Sequence, residues 1–312
     1  MSNQAICTVI FKYDPKAAYP FILAGNRDEM RDRPALPPAR HWPDRPETIG
    51  GLDVAAGGTW MALNDAGVFA TLLNGKQSLG PVHGKRSRGE LPLDALDFEA
   101  AADAAEALAT LDPTAYRPFN LLIADATAVF LLQNDGAADI RQQRVSPGVH
   151  MISHSDLNDP SDPRVRQFGH AFAQAAAPHD TAIPTHDRGS NHDEGPDHDK
   201  SLSHDKNLSH DKSLSHDKSL DHHGSPDHDQ TLDRGQDASR LDTWAPWVSL
   251  LASRQGEDPH NPLTALTIKT NFGFETRSAA LIGVRGDGPN VWWHRDGQTE
   301  AENLSQFHKV DL

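Results

Sequence analysis

Apolar positions fall into short blocks of strand length separated by polar turns, and this pattern sets the expected elements. Ala5 to Tyr13 is rich in β-branched and aromatic residues and reads as a strand that Asp14-Pro15 ends, and Pro20 to Ala24 opens a second. Gly58 to Leu63 and Gly67 to Leu73 form a hairpin pattern around Asn64-Asp65-Ala66. Phe119 to Ala124 and Ala128 to Gln133 repeat it around Asp125-Ala126-Thr127, with weaker strands at Ile140 to Val145 and from Val149 to Ser153. Thr264 to Thr270, Thr276 to Val284 and Val291 to Arg295 read as the last strands. Helical spacing marks Asp97 to Leu111, with Phe98, Ala101, Ala105 and Leu108 in phase, and Arg164 to Ala176, with Val165, Phe168 and Phe172 on one face. Leu241 to Ser253 carries Trp244, Trp247 and Leu251 in the same manner, and a further helix is expected to open at Gly89-Glu90-Leu91. Strands, a helical segment, strands, a helical segment and strands again predict α+β layers with antiparallel sheets.

Two stretches break the pattern. Arg27 to Ala56 is dominated by Pro, Arg and Asp and predicts a long ordered loop, of the kind that tends to be functional. From Pro178 to Arg240 apolar residues almost vanish, and His198, His204, His210, His216, His222 and His228 recur every six residues. That period fits neither helix nor strand burial, and such a composition cannot offset the entropy of ordering, so residues 178–240 are expected to be a disordered His/Asp-rich insertion. Residues 1–177 and 241–312 then form a single domain interrupted by it. A neutral expansion of a surface loop accounts for the repeat better than a metal site, and no metal is expected.

Composition narrows the function classes. A chain of 312 residues buries a sizeable core. Its 29 Lys and Arg against 44 Asp and Glu give a net charge of −15, of which the insertion supplies −7, and this sign argues against nucleic acid or an anionic membrane as partner. The single cysteine excludes an intrachain disulfide framework and a cysteine-rich zinc site, which favours a reducing compartment. Met1 to Ile6 lacks a basic, apolar leader pattern and no stretch reaches membrane-spanning length, so a cytoplasmic location is expected.

Candidate chemistry gathers at Ala24-Gly25-Asn26-Arg27-Asp28-Glu29, where an apolar strand ends in an amide, a guanidinium and two carboxylates, with Cys7 one strand earlier. These are parts for nucleophilic chemistry: a thiol, a cation that favours thiolate, and carboxylates that hold an amine or a guanidinium. The same residue types also suit a strand-end ion-pair network beside an inert buried cysteine. His83 to Arg88 is a basic patch, read either as a solvated loop or as a seat for an anionic ligand group.

The ordered set Cys7-Thr8-Val9, Asn26-Arg27-Asp28-Glu29, Gly57-Gly58-Thr59-Trp60, Ser87-Arg88-Gly89-Glu90-Leu91, Phe119-Asn120-Leu121-Leu122 and Thr276-Arg277-Ser278 resembles the NRDE family, which includes eukaryotic transport and Golgi organization proteins. The chain departs from the family at Ser153-His154-Ser155, where Ser-Asn is usual, and at Phe274-Glu275-Thr276-Arg277-Ser278, where Tyr-Gly-Thr-Arg-Ser is frequent. The resemblance implies the four-layer αββα sandwich of N-terminal nucleophile hydrolases and a cysteine amidohydrolase acting on a small acyl-amide without a cofactor. It implies Cys7 as nucleophile, Arg27 and Arg277 as cations that favour thiolate or hold a substrate carboxylate, and Asp28 as orienter of the α-amine. Asn74, in a stretch similar to that of choloylglycine-type amidohydrolases, is implied as oxyanion donor, against its ordinary reading as a turn residue. Such a mechanism needs a free amine on Cys7, so removal of Met1 to Ile6 is expected. The rival expectation from the same family is a non-enzymatic carrier of haem or another hydrophobic anionic ligand, with Cys7 as a soft ligand or a core residue.

Overall fold

The expected strands pair into two antiparallel sheets in the computed structural model, which describes residues 7–76, 78, 80–176, 241–297 and 304–312. The expectation for 178–240 lies outside the described residues. Strands β1 (Thr8–Tyr13), β2 (Phe21–Met30), β10 (Gly148–Ile152), β11 (Phe274–Val284), β12 (Val291–Asp296) and β13 (His308–Lys309) form the first sheet, in the order β10-β1-β2-β11-β12-β13. Strands β3 (Ala35–Ala39), β4 (Thr48–Asp53), β5 (Met61–Asn64), β6 (Phe69–Asn74), β7 (Phe119–Ala124), β8 (Val129–Asn134) and β9 (Arg141–Arg144) run in sequence order through the second.

Period-two alternation sends each strand's side chains to two different cores. Phe21 and Leu23 of β2 enter the layer between the sheets with Phe11, Phe69, Leu122, Leu131 and Trp292. Ile22 and Ala24 face the other way, against helices α3 (Pro163–Gln174) and α4 (Ala245–Leu251), where Phe172 and Trp247 meet edge to face at 5.6 Å. Helices α1 (Leu91–Ala95) and α2 (Ala101–Ala109) cover the outer face of the second sheet through Leu91, Ala101, Ala105 and Leu108. The layers therefore run helix, sheet, sheet, helix, the αββα sandwich.

Three expectations change. β2 does not stop at the charges: it runs through Asn26, Arg27, Asp28 and Glu29 to Met30, because β11 pairs beside it with Thr276 opposite Asp28 and Phe274 opposite Met30. The stretch from Arg27 to Ala56 is not a plain loop, since β3 and β4 lie inside it. Pro37-Pro38 hid β3 from the pattern, and a sheet edge is the place that tolerates a missing N–H. Thr264 to Thr270 is not a strand but a 3₁₀ turn at Pro262–Thr264 followed by irregular backbone with one bridge, Lys269 to Glu275. The carbonyl of Leu266 is satisfied instead by the Asn26 amide at 2.9 Å, so the segment needs no sheet partner there. Among the described residues no helix is long and apolar enough to cross a membrane.

Candidate functional site

Alternation along β2 decides where the motif's side chains go. Arg27 shares the face of Phe21 and Leu23 and points between the sheets, where its guanidinium lies 4.3 Å over the Trp60 ring and 3.8 Å from Glu29. Asn26 and Asp28 share the face of Ile22 and Ala24. Asn26 donates to the carbonyls of Leu251 and Leu266, and Asp28 meets α3. Cys7 directly precedes β1 and its thiol donates to the Asp28 backbone carbonyl at 3.6 Å. The motif thus serves two faces at once, a structural amide and a carboxylate behind, a cation and a thiol in front.

A cavity of about 300 Å³ opens at this point, and Cys7, Arg27, Asp28 and Asn74 all line it. Asn74 ends β6, opposite Phe119 of β7, and the next residue, Gly75, lies so close to Pro118 that an added Cβ would stand 2.7 Å from its carbonyl carbon. Gly58 and Gly89 explain two further motifs. Thr59 donates to the Gly89 carbonyl at 2.8 Å, and a Cβ on Gly58 would fall 2.5 Å from that carbonyl, so these two glycines clamp the segment carrying Arg88 against the one carrying Trp60.

Arg277 is not brought to this cavity. It sits at the bulge between Thr276 and Ser278 in the β11–β2 pairing, and its guanidinium holds Glu275 at 2.8 Å. Its neighbour Thr276 does reach the motif, donating to Asp28 Oδ1 at 2.6 Å. Arg164, overlooked in the sequence, completes the set: Nη2 and Nη1 lie 3.3 and 3.4 Å from Asp28 Oδ2, and Nη1 also donates to Thr8 Oγ1. A signal was present, because Arg164 lies in the first turn of α3, two residues after the N-cap Asp162 and on the helix's buried side, where the helix dipole disfavours a cation unless a carboxylate holds it.

The electrostatics oppose a ready thiolate. Burial, with the Asp28 carboxylate second, pushes the Cys7 thiol up to about 12; the Asp28 carbonyl contact and Arg27 pull down without prevailing. Burial also lifts Asp28 to about 6, against the pull of Arg164 and Thr276. At neutral pH the pair is a protonated thiol beside an ionised carboxylate, so any attack by sulfur requires a base. His154 belongs elsewhere. Its Nδ1 lies 3.2 Å from Ser153 Oγ and 3.6 Å from Asp162, and with Asn120 it lines a separate cavity of about 160 Å³. Among the described residues no group of three or more His, Cys, Asp or Glu side chains is placed to hold a metal ion.

The Bos taurus Transport and Golgi organization protein 2 homolog is 36% identical over 169 residues, covering 50% of this chain and 59% of the bovine protein. The Homo sapiens homolog is 30% identical over 191 residues, covering 57% of this chain and 67% of its own length. This chain therefore spans less than two thirds of the bovine relative. Among solved structures, the Caenorhabditis elegans N-acylethanolamine-hydrolyzing acid amidase ortholog aligns with a TM-score of 0.42 at 12% identity, over 53% of this chain and 77% of that one. A mutant form of conjugated bile acid hydrolase from Clostridium perfringens aligns with a TM-score of 0.42 at 10% identity, over 98% and 97% of the two chains. The profile described as Transport and Golgi organisation 2 matches residues 6–293, a span that takes in the Cys7 end, the Asn26-Arg27-Asp28-Glu29 motif and β11, and the chain belongs to that family.

Proposed function

We propose that the cavity is the active site of a cysteine amidohydrolase that cleaves a small acyl-amide. The observation that carries this reading is the convergence of Cys7, Arg27 and Asn74 on one cavity of about 300 Å³, a size suited to a small ligand. The Cys7 sulfur attacks the amide carbonyl carbon. Its proton passes to a base and then to the departing nitrogen as the C–N bond breaks, and water cleaves the resulting thioester. Because the thiol is held at about 12, the base is indispensable. The α-amine of Cys7, with an ordinary pKa of about 8, serves once Met1 to Ile6 has been removed. Asn74 donates to the oxyanion, and Arg27 steadies the developing charge. No cofactor enters these steps. Intact-mass measurement and assay against a panel of small acyl-amides test the reading together. Wild type is expected to lose residues 1–6 and release amine, and Cys7→Ala to keep them and lose turnover by about a thousandfold or more. Wild type that retains residues 2–6 and cleaves no amide ends this proposal.

The cation-rich lining of the cavity supports a second reading, in which the same cavity carries a hydrophobic anionic ligand such as haem without cleaving it. A thiol held at about 12 does not readily supply an iron thiolate, so carriage would rest on the cavity walls. A haem titration followed by absorption decides: saturable binding that survives Cys7→Ala, with no amide turnover, supports the carrier.

A further inference from the structure

Six cationic residues, Arg27, Arg33, Lys85, Arg86, Arg88 and Arg117, line the cavity with two carboxylates, Glu29 and Asp53, while the Asp28 carboxylate is turned away onto Arg164. Most of the cations have an evident anchor. Arg33 holds Asp53 at 2.7 Å, Arg86 holds Glu90 at 2.6 Å, Lys85 donates to the Thr114 carbonyl, and Arg27 stacks on Trp60 beside Glu29. Arg88 differs. Its Nη1 donates to Ser78 Oγ at 2.7 Å and to the Pro118 carbonyl at 2.8 Å, both uncharged acceptors, and among the described residues no carboxylate lies within ion-pair distance of it. The remaining N–H groups on Nε and Nη2 find no acceptor among the described residues, which leaves one edge of the planar guanidinium as a two-point donor.

Keeping such a cation costs stability. Burial lowers Arg88 to about 10, Arg117 and Arg33 push the same way, and Glu29 opposes them from beyond ion-pair distance, yet the group stays charged at neutral pH. The Gly58–Gly89 contact fixes the backbone on which it sits, so the side chain is aimed rather than loose. A chain with a net charge of −15 that concentrates cations in one concavity draws anions to that place and repels them elsewhere. We propose that Arg88 seats an anionic group of the ligand, a carboxylate or a phosphate, through the paired donors of Nε and Nη2. The inference rests on the reading of this cavity as the ligand site, and it holds whether the ligand is cleaved or carried.

The experiment uses the full chain, labelled with ¹⁵N, and follows the Arg Nε–H resonances during titration with N-acetylglycine, inorganic phosphate and the neutral N-acetylglycinamide. The Arg88 signal, assigned by its loss in Arg88→Lys, is expected to move with at least one of the anions and not with the amide. The anion that binds more tightly identifies the group. Affinity for it is expected to fall about tenfold or more in Arg88→Gln, to recover in part in Arg88→Lys, and to stay unchanged when surface Arg40, paired with Asp65, is replaced by Gln. An Arg88 signal that neither anion moves overturns the proposal, even if Arg88→Gln fails to fold, and so does equal affinity in wild type and Arg88→Gln. An Arg88 that responds in a protein without amide turnover sinks the hydrolase and keeps this seat. Turnover of neutral amides with an unresponsive Arg88 does the reverse.

Discussion

Asp28 answers to partners on two sides, one set at its side chain and one at its backbone. Its carboxylate is buried against Arg164 and Thr276, while its carbonyl accepts from the Cys7 thiol. With the folded-state value lifted from 3.8 to about 6, the folded chain keeps a proton that the unfolded chain releases between these values. The Asp28 contribution to stability is therefore greatest in acid, declines as pH rises from about 4 to about 6, and is level above that. In Asp28→Asn this decline is expected to vanish, changing the slope of unfolding free energy against pH by up to about 1.4 kcal/mol per unit, as read by urea denaturation at several pH values. At neutral pH the same variant leaves Arg164 as a buried cation without its carboxylate, at a cost of about 3 kcal/mol. It also removes a charge that raises the thiol, so the alkylation midpoint of Cys7 is expected to fall below about 12. An unchanged Cys7 profile would detach the thiol from the motif. Cys7, Arg27 and Asp28 were legible in the sequence because two short neighbouring segments hold them. Arg164 and Thr276 stand 136 and 248 residues from Asp28, and a pairing at that separation leaves little local trace.

The strands that carry the site were legible where their apolar positions are continuous, as in β1, β7 and β8, which are buried along almost their whole length. β3 escaped because an exposed edge strand needs little apolar content, and β4 because Gly50 and Gly51 interrupt it. Gly50 has a reason to be small, since a Cβ there would stand 2.7 Å from the Ala62 Cβ on β5. The Gly58–Gly89 contact is a backbone-to-backbone joint between two segments that wall the cavity. In Gly58→Ala the new methyl meets backbone rather than a side chain that can swing away, so the two segments must part. A loss of about 1 to 3 kcal/mol is expected, with a change in Trp60 fluorescence as its neighbours shift. Wild-type stability in Gly58→Ala would show that the joint yields freely and does not position Arg88.

Across the whole molecule, the alternation of strand and helix patterns foretold antiparallel sheets covered by helices, but not which sheet each helix would cover. That assignment depends on contacts between distant segments, such as Phe172 of α3 against Trp247 of α4. These two helices flank residues 178–240 in sequence and share one core, with Ala175 and Leu241 both packed into it. The domain on either side is thereby already joined through its own packing. Replacing 178–240 by a short flexible linker is expected to leave the thermal midpoint within about 2 °C and the cavity's ligand affinity unchanged. A cooperative loss of stability on deletion would mean that the insertion belongs to the fold.

The cavity is built across a seam. Arg27 lies on β2 of the first sheet with Cys7 just before β1, Asn74 ends β6 of the second sheet with Trp60 just before β5, and the Arg27–Trp60 stack at 4.3 Å bridges the two. The gap between thiol and amide is accordingly gauged by the thickness of the filling between the sheets, including the Phe21–Phe69 ring pair at 5.5 Å. Thinning or swelling that filling changes the separation of the Cys7 thiol and the Asn74 amide from well outside the cavity, so the spacing of these two groups is adjustable by residues that do not line it.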